Sequence, residues 1–416
     1  MRIKHILLGL VAIVVLGAGY LYIAYLRPIP PFQPTGEYSV GATNFDFEFA
    51  SQISGVDRKI NVRAWYPSNA AEGEINLVSS QRLVEKTVEF YNMPSFIAKT
   101  EASLSFKDAP IANSGDKFPV IVFNHGFGSF AEQNTSNMQE LASNGYIVFS
   151  LSHPETSLLT EYTDGSYVYN NPDLPVFVEQ LRYEEAATAS YNGISAALET
   201  KDNATNFAEY WQGMRTLAQN APFANMQPFL RAWIEDSNAL VNAIATNQTA
   251  QFPAIFAASM NSKMIGIFGH SLGGMTALAT TASNANIKAA INLDGPFAFD
   301  EPLENIHLSA PTCMLMAEGI PLGGEVISMA DINTPLLETS DYGGCVAVFN
   351  GAWHMNFADL NYVSFLKLLP ILGPVDQEKM GIELNHLLVN IFDRHLKGDD
   401  IPYAPVYDTI VEYREF

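Results

Sequence analysis

Two kinds of hydrophobic alternation divide the chain. "NFDFEFA" (44–50) and "RKINVRAWYPS" (58–68) alternate apolar and polar positions, the period of antiparallel strands with one wet face. Further on, "FPVIVFNHG" (118–126), "GYIVFSLSH" (145–153), "KMIGIFGHS" (263–271), "IKAAINLDG" (287–295), "PTCMLMAEG" (311–319) and "CVAVFNGAWH" (345–354) are short runs apolar on both faces. Each ends in Gly, His, Asp or Ser, and most are separated by helix-length segments. Strands of that kind belong to a parallel sheet covered on both sides, so the pattern predicts an α/β fold with function gathered at the strands' carboxyl ends. "SFAEQNTSNMQELASNG" (129–145) reads as a helix capped by its serine, and "QPFLRAWIEDSNALVNAIAT" (227–246) as a second. "IELNHLLVNIFDRHLKG" (382–398) puts Leu384, Leu387, Leu388, Ile391, Phe392 and Leu396 on one face and closes on Gly398, as a final packing helix would.

The start of the chain follows a different rule. Residues 6–26 form an uncharged apolar run between Arg2, Lys4 and Arg27; as a helix it spans about 31 Å, a bilayer's hydrocarbon thickness. With the positive charges first, the remainder is expected outside the cytoplasm. We read residues 1–27 as a membrane anchor, or alternatively a cleaved signal segment, followed by a Pro-rich linker at 28–36. One catalytic-sized domain then runs over 37–416, with insertions or lids at about 76–117 and 172–226. The net charge of −22 disfavours nucleic acid and strongly anionic lipid as partners but leaves neutral or zwitterionic substrates open. The two cysteines, Cys313 and Cys345, read first as buried thiols packing as small hydrophobes, with a disulfide as the alternative that an exported chain permits.

Chemistry enters with "IFGHSLGGMTAL", which holds G-x-S-x-G at Gly269, Ser271 and Gly273 between an apolar strand and a helix-like segment. A serine on so sharp a turn is a nucleophile candidate, and the flanking glycines avoid side-chain clashes. A serine hydroxyl needs a base held by a carboxylate. His354 ends the last apolar run and is the candidate base; His386 and His395 fall on the terminal helix, and His307 in a connection. Position alone leaves Asp294 and Glu318 open as the acid, while Asp359 is expected on a following helix, turned away from the ring. Oxyanion donors are expected from the Leu272 amide and from "NHGFGS" (124–129), at the Phe127 amide. His125 and His270 are expected as structural neighbours of that loop and of the serine turn. His125, His153 and His270 lack the close spacing of a zinc set, so neither metal nor cofactor is expected.

Together "RAWYPS", "VFNHGFG", "ELASNGYIVFSLSHPETS", "GHSLGG", "INLDG" and "GAWHMNFADL" resemble the platelet-activating factor acetylhydrolase family, plasma and type II enzymes, of the α/β-hydrolase superfamily. The resemblance spans roughly residues 60–360. It implies Ser271 as nucleophile, Asp294 rather than Glu318 as acid, His354 as base, and hydrolysis of short or oxidised acyl groups from phospholipids without calcium. A lipid or other small ester is thus the expected substrate. The alternatives are a general carboxylesterase or lipase, an acyltransferase or peptidase with the same triad, and a binding module on a retained hydrolase fold.

Overall fold

The structure, a computed structural model, describes residues 32–93, 95, 98–174, 195–220, 223–322, 325–363 and 371–416, besides Gly17 and Gly19. The expected anchor at 6–26 therefore lies outside the described residues apart from those two glycines. Among the described residues no helix is long and apolar enough to cross a membrane.

The strands, in chain order, are β1 (Ser39–Ala50), β2 (Asp57–Ser68), β3 (Ile75–Leu77), β4 (Ala102–Lys107), β5 (Phe118–Asn124), β6 (Ile147–Ser152), β7 (Leu159–Glu161), β8 (Tyr167–Tyr169), β9 (Met260–His270), β10 (Ile287–Leu293), β11 (Thr312–Ala317), β12 (Ile320–Leu322), β13 (Glu325–Ile327), β14 (Gly344–Phe349) and β15 (Ile410–Glu415). Eleven of them form one sheet in the order β15-β14-β11-β10-β9-β5-β6-β2-β1-β4-β3, and β7–β8 and β12–β13 are small separate hairpins. The six doubly apolar runs are the parallel centre, β6-β5-β9-β10-β11-β14. The two alternating segments pair antiparallel along their whole length as β1 and β2. This is the α/β fold that the two alternations predict.

Side chains leave the central strands with period two, which builds two cores. Ile121, Phe123, Val148, Phe268, Ile291 and Leu315 face one side, under Met138 and Leu141 of helix Thr135–Ser143 and Leu387, Leu388 and Phe392 of helix Gln377–Phe392. Val120, Val122, Ile147, Phe149 and Ile267 face the other, against Leu240 and Ile244 of helix Phe223–Ala245. From β5 the chain passes to β6 on one side and, after the long insertion, to β9 on the other. The loops after β5 and β9 therefore flank the point where strand order reverses, and the crevice of an open α/β sheet forms there.

Several elements differ from the sequence reading. The segment 76–117 carries β3, helix Gln81–Phe90 and β4, and β4 pairs with β1, so this insertion widens the sheet at its outer edge. The segment 172–226 places Tyr210, Trp211, Met214 and Leu217 of helix Phe207–Ala218 in one apolar cluster with Leu272 and Met275 beside the serine turn. Its residues 175–194 and 221–222 lie outside the description. The helix expected from Ser129 begins only at Thr135, because 129–134 is used to reach other loops. The last helix ends in a π turn at Asp393–Lys397, with Gly398 left-handed at φ 81°.

The preferred reading of the cysteines is corrected. Cys313 on β11 and Cys345 on β14 are direct register partners, with Cα atoms 4.4 Å apart, and form a disulfide. The sequence between the two cysteines gave no sign that the two strands would be neighbours in that register. Because the bridge closes a loop of sequence separation 32, replacing both cysteines by alanine should lower the unfolding free energy by about 2–4 kcal/mol, read by urea denaturation of the oxidised protein. A variant as stable as the parent would show that the two strands gain nothing from the link.

Candidate active site

β9 runs into a turn that the chain resists. Ser271 sits at φ 58°, ψ −119°, a conformation costly for a residue with a Cβ. The turn closes because its flanks carry no side chains. A Cβ at Gly269 would stand 2.2 Å from the Gly273 carbonyl oxygen, and one at Gly273 would stand 2.0 Å from that of Asn124. The Ser271 N–H donates to the Leu293 carbonyl at 2.9 Å, and its own carbonyl accepts from Met275 at 3.1 Å. Although Ser271 is the N-cap of helix Leu272–Ser283, its hydroxyl makes no capping bond. The oxygen is held by backbone geometry rather than engaged by the helix it starts.

Asp294 follows β10, itself at φ 52° and fully buried. Its Oδ1 accepts from the Ala317 amide at 2.8 Å, and its Oδ2 lies 2.7 Å from His354 Nδ1. A carboxylate can only accept from that nitrogen, so Nδ1 carries the proton and the lone pair is at Nε2. Glu318, exposed at the end of β11, instead accepts from the Gly351 amide at 2.9 Å and braces the start of the His354 loop. Of the two carboxylates left open by position, the structure brings Asp294 to the histidine. Asp359 also turns elsewhere: both its oxygens accept from Ser136, one of them from the amide at 3.0 Å, which caps helix Thr135–Ser143 from outside.

The loop after β5 is fixed by side chains on both sides of one peptide. The Gly126 carbonyl accepts from His125 Nδ1 at 2.7 Å and from the Ser129 amide at 3.1 Å. A trans peptide points its N–H opposite its C=O, so the Phe127 amide is directed away from His125. A Cβ at Gly126 would lie 3.5 Å from the Ser271 Cβ, which places this loop against the serine. The Leu272 amide is the first of its helix and has no acceptor within it. Two backbone donors thus come from the loop after β5 and from the serine turn.

The histidines near this loop and the serine turn, His125, His153 and His270, are fully engaged. His125 Nε2 is 2.7 Å from Ser157 Oγ; burial, then the neighbouring His153, push it down to about 3, so it stays neutral. His153 bonds Asp236 at 2.8 Å and Asn124 at 3.0 Å and stacks on Trp233 with ring centroids 4.1 Å apart. Asp236 in turn holds Arg58, so a half-buried arginine, a buried aspartate and a buried histidine form one row that ends at Asn124 of β5. No spacing in the sequence marks that row, because its members come from β2, the residue after β6 and helix Phe223–Ala245. With every ring nitrogen of His125, His153 and His270 taken by a hydrogen-bond partner, the three do not converge on a common point. His307 is exposed, and His386 lies 3.9 Å from Glu383 on the terminal helix.

Asp359 supplies a pH test. Burial raises its carboxyl from 3.8 to about 7, outweighing the Ser136 bonds that favour the charge. The folded protein therefore holds this proton more tightly than the unfolded chain. The associated stability is complete below pH 3.8 and is lost as pH rises to about 7. Relative to Asp359→Asn, the parent's melting temperature should fall across that window and run parallel above it; parallel curves throughout would contradict the burial effect.

Comparison with known proteins places the chain in a family. The family described as platelet-activating factor acetylhydrolase, isoform II, matches residues 29–184 and 236–397. The guinea pig (Cavia porcellus) platelet-activating factor acetylhydrolase is 24% identical over 376 residues, covering 88% of this chain and 77% of that enzyme. The chicken (Gallus gallus) enzyme of the same name is 20% identical over 376 residues, covering 87% and 82%. Among solved structures, a ferulic acid esterase from Streptomyces cinnamoneus superposes with a TM-score of 0.64 at 19% identity, over 89% of this chain and 96% of that one. The two stretches matched by the family contain both strand-end loops, the serine turn, Asp294 and His354, so the chain belongs to the platelet-activating factor acetylhydrolase isoform II family and is an ester hydrolase of the α/β-hydrolase fold.

Proposed function

We propose that the chain hydrolyses short-acyl phospholipids of the platelet-activating factor type through an acyl-enzyme on Ser271. The observation that carries the chemistry is the His354 ring, fixed by buried Asp294 at Nδ1 so that Nε2 is the basic nitrogen, and packed against the ring of His270, the residue before a serine whose hydroxyl caps nothing. His354 takes the Ser271 proton as Oγ attacks the ester carbonyl, and the Phe127 and Leu272 amides receive the developing oxyanion. The tetrahedral intermediate collapses, His354 protonates the leaving alkoxide, and a water activated by the same nitrogen releases the acid. Asp294 holds the ring and stabilises its charged form. No step calls on a metal or cofactor.

The substrate class is drawn from the named relatives. For location we propose export with the catalytic domain outside the cytoplasm, anchored by residues 6–26 or released by cleavage within them. The Cys313–Cys345 bridge supports an oxidising compartment. The Pro-rich 28–36 would then serve as the spacer.

Ser271→Ala should abolish turnover of a short p-nitrophenyl ester and labelling by a fluorophosphonate; persistent labelling would remove Ser271 from the mechanism. Asp294→Asn should cost on the order of 10⁴ in kcat while Glu318→Gln leaves most activity, and the reverse ranking would exchange their roles. A screen of phospholipids differing in second-position acyl length reads the substrate. Preference for the two-carbon acyl supports the proposal, and equal rates on simple esters of all lengths would make the enzyme a general carboxylesterase.

A further inference from the structure

One side chain joins the three loops that meet at Ser271, yet has no part in the steps above. The Gly126 amide donates to Gln133 Oε1 at 2.6 Å, and Gln133 Nε2 lies 2.6 Å from His270 Nδ1. His270 Nε2 lies 3.0 Å from the His354 carbonyl oxygen. The polarity of this row is fixed from both ends. A backbone N–H can only donate, so Gln133 must present its oxygen to Gly126 and its N–H to His270. His270 Nδ1 must then carry the lone pair and Nε2 the proton, which the His354 carbonyl accepts.

Other contacts make the row rigid. Gln133 and His270 are buried, so water does not compete for these bonds. The Gln133 carbonyl accepts from the Asp359 amide at 3.0 Å, and Asn134 Nδ2 donates to the Phe357 carbonyl at 2.6 Å. The residue is therefore tied by its backbone to the same loop that its side chain reaches through His270. The His270 and His354 rings lie 4.6 Å apart between centroids, so one imidazole seats the other. A His270 with its proton on Nδ1 would turn a lone pair toward the His354 carbonyl and push the loop away.

We propose that Gln133 is a positioning residue for hydrolysis at Ser271: its carboxamide sets the Nε2–H tautomer of His270, which holds His354, and the same group fixes the Gly126–Phe127 peptide. The proposal rests on the assignment of Ser271, Asp294 and His354 made above. Burial, then the adjacent His354, hold His270 well below the ordinary histidine range, in line with a neutral ring in this row.

Gln133→Glu separates the two ends of the relay, since it keeps an acceptor for Gly126 and removes the donor to His270. In the full chain, Gln133→Glu and Gln133→Leu should each lower kcat on a short p-nitrophenyl ester by about 10- to 100-fold with KM within about twofold, and slow fluorophosphonate labelling in parallel. Wild-type kcat in the Glu variant, or a loss confined to KM, would overturn the relay. The unmutated protein gives a second measurement that folding of the variants cannot compromise. Imidazole ¹⁵N NMR should show His270 protonated at Nε2 alone, and a proton on Nδ1 would overturn the proposal. Ser271→Ala keeps the two ideas apart: turnover surviving in that variant sinks the triad, while the His270 tautomer still decides whether Gln133 sets it.

Discussion

Everything at the site hangs on a serine held where serine does not wish to be. The φ of 58° at Ser271 is a local cost of about 1–3 kcal/mol, and it persists because the parallel sheet over-determines the turn. β9 lies between β5 and β10, the Ser271 amide is fixed to Leu293 at the end of β10, and helix Leu272–Ser283 presses on the Asn124 carbonyl at the end of β5. Relaxing the serine would require moving three strand ends together. The strain is thus supported by hydrophobic burial on both faces of the sheet, far larger in sum than the strain itself.

The same arrangement explains why the remaining groups come from so many places. A parallel sheet delivers its strand ends to one edge, so β5 contributes a loop of backbone donors, β9 the serine, β10 the carboxylate and β14 the histidine. Loops at such an edge have no regular hydrogen bonding of their own. Here they borrow it from side chains, some exposed and some buried: Glu318 and Asp359 brace the His354 loop, His125 turns the Gly126 peptide, and Gln133 spans all three. Polar groups of this kind must be satisfied to be buried at all, so once assembled they leave each other few alternative orientations.

The sheet was legible because doubly apolar runs and clean alternation are two distinct signals, and both survived into the structure as β5, β6, β9, β10, β11 and β14 on one hand and β1 and β2 on the other. Helix Thr135–Ser143 starts five residues later than its pattern suggested, with Asn134 rather than Ser129 at its N-cap. Ser129, the expected cap, turned instead to the Gly126 carbonyl, while Asp359, more than two hundred residues on, took over the cap. Insertion 76–117 looked like a lid because its composition carries helix formers and aromatics, but composition does not say which edge an extra strand will join.

By itself the sequence determined the elements, the serine turn and the short set of groups able to serve it, since each depends on spacing within a few residues: glycines two positions either side of Ser271, apolar runs of strand length, a histidine at the end of the last run. Only the tertiary structure decided pairings across strands. It brought Asp294 to His354 and sent Glu318 to Gly351, joined Cys313 to Cys345, and placed Gln133 between Gly126 and His270. Those choices turn on register and on the direction of single N–H and C=O bonds, quantities that arise when strands pack and that no local pattern encodes.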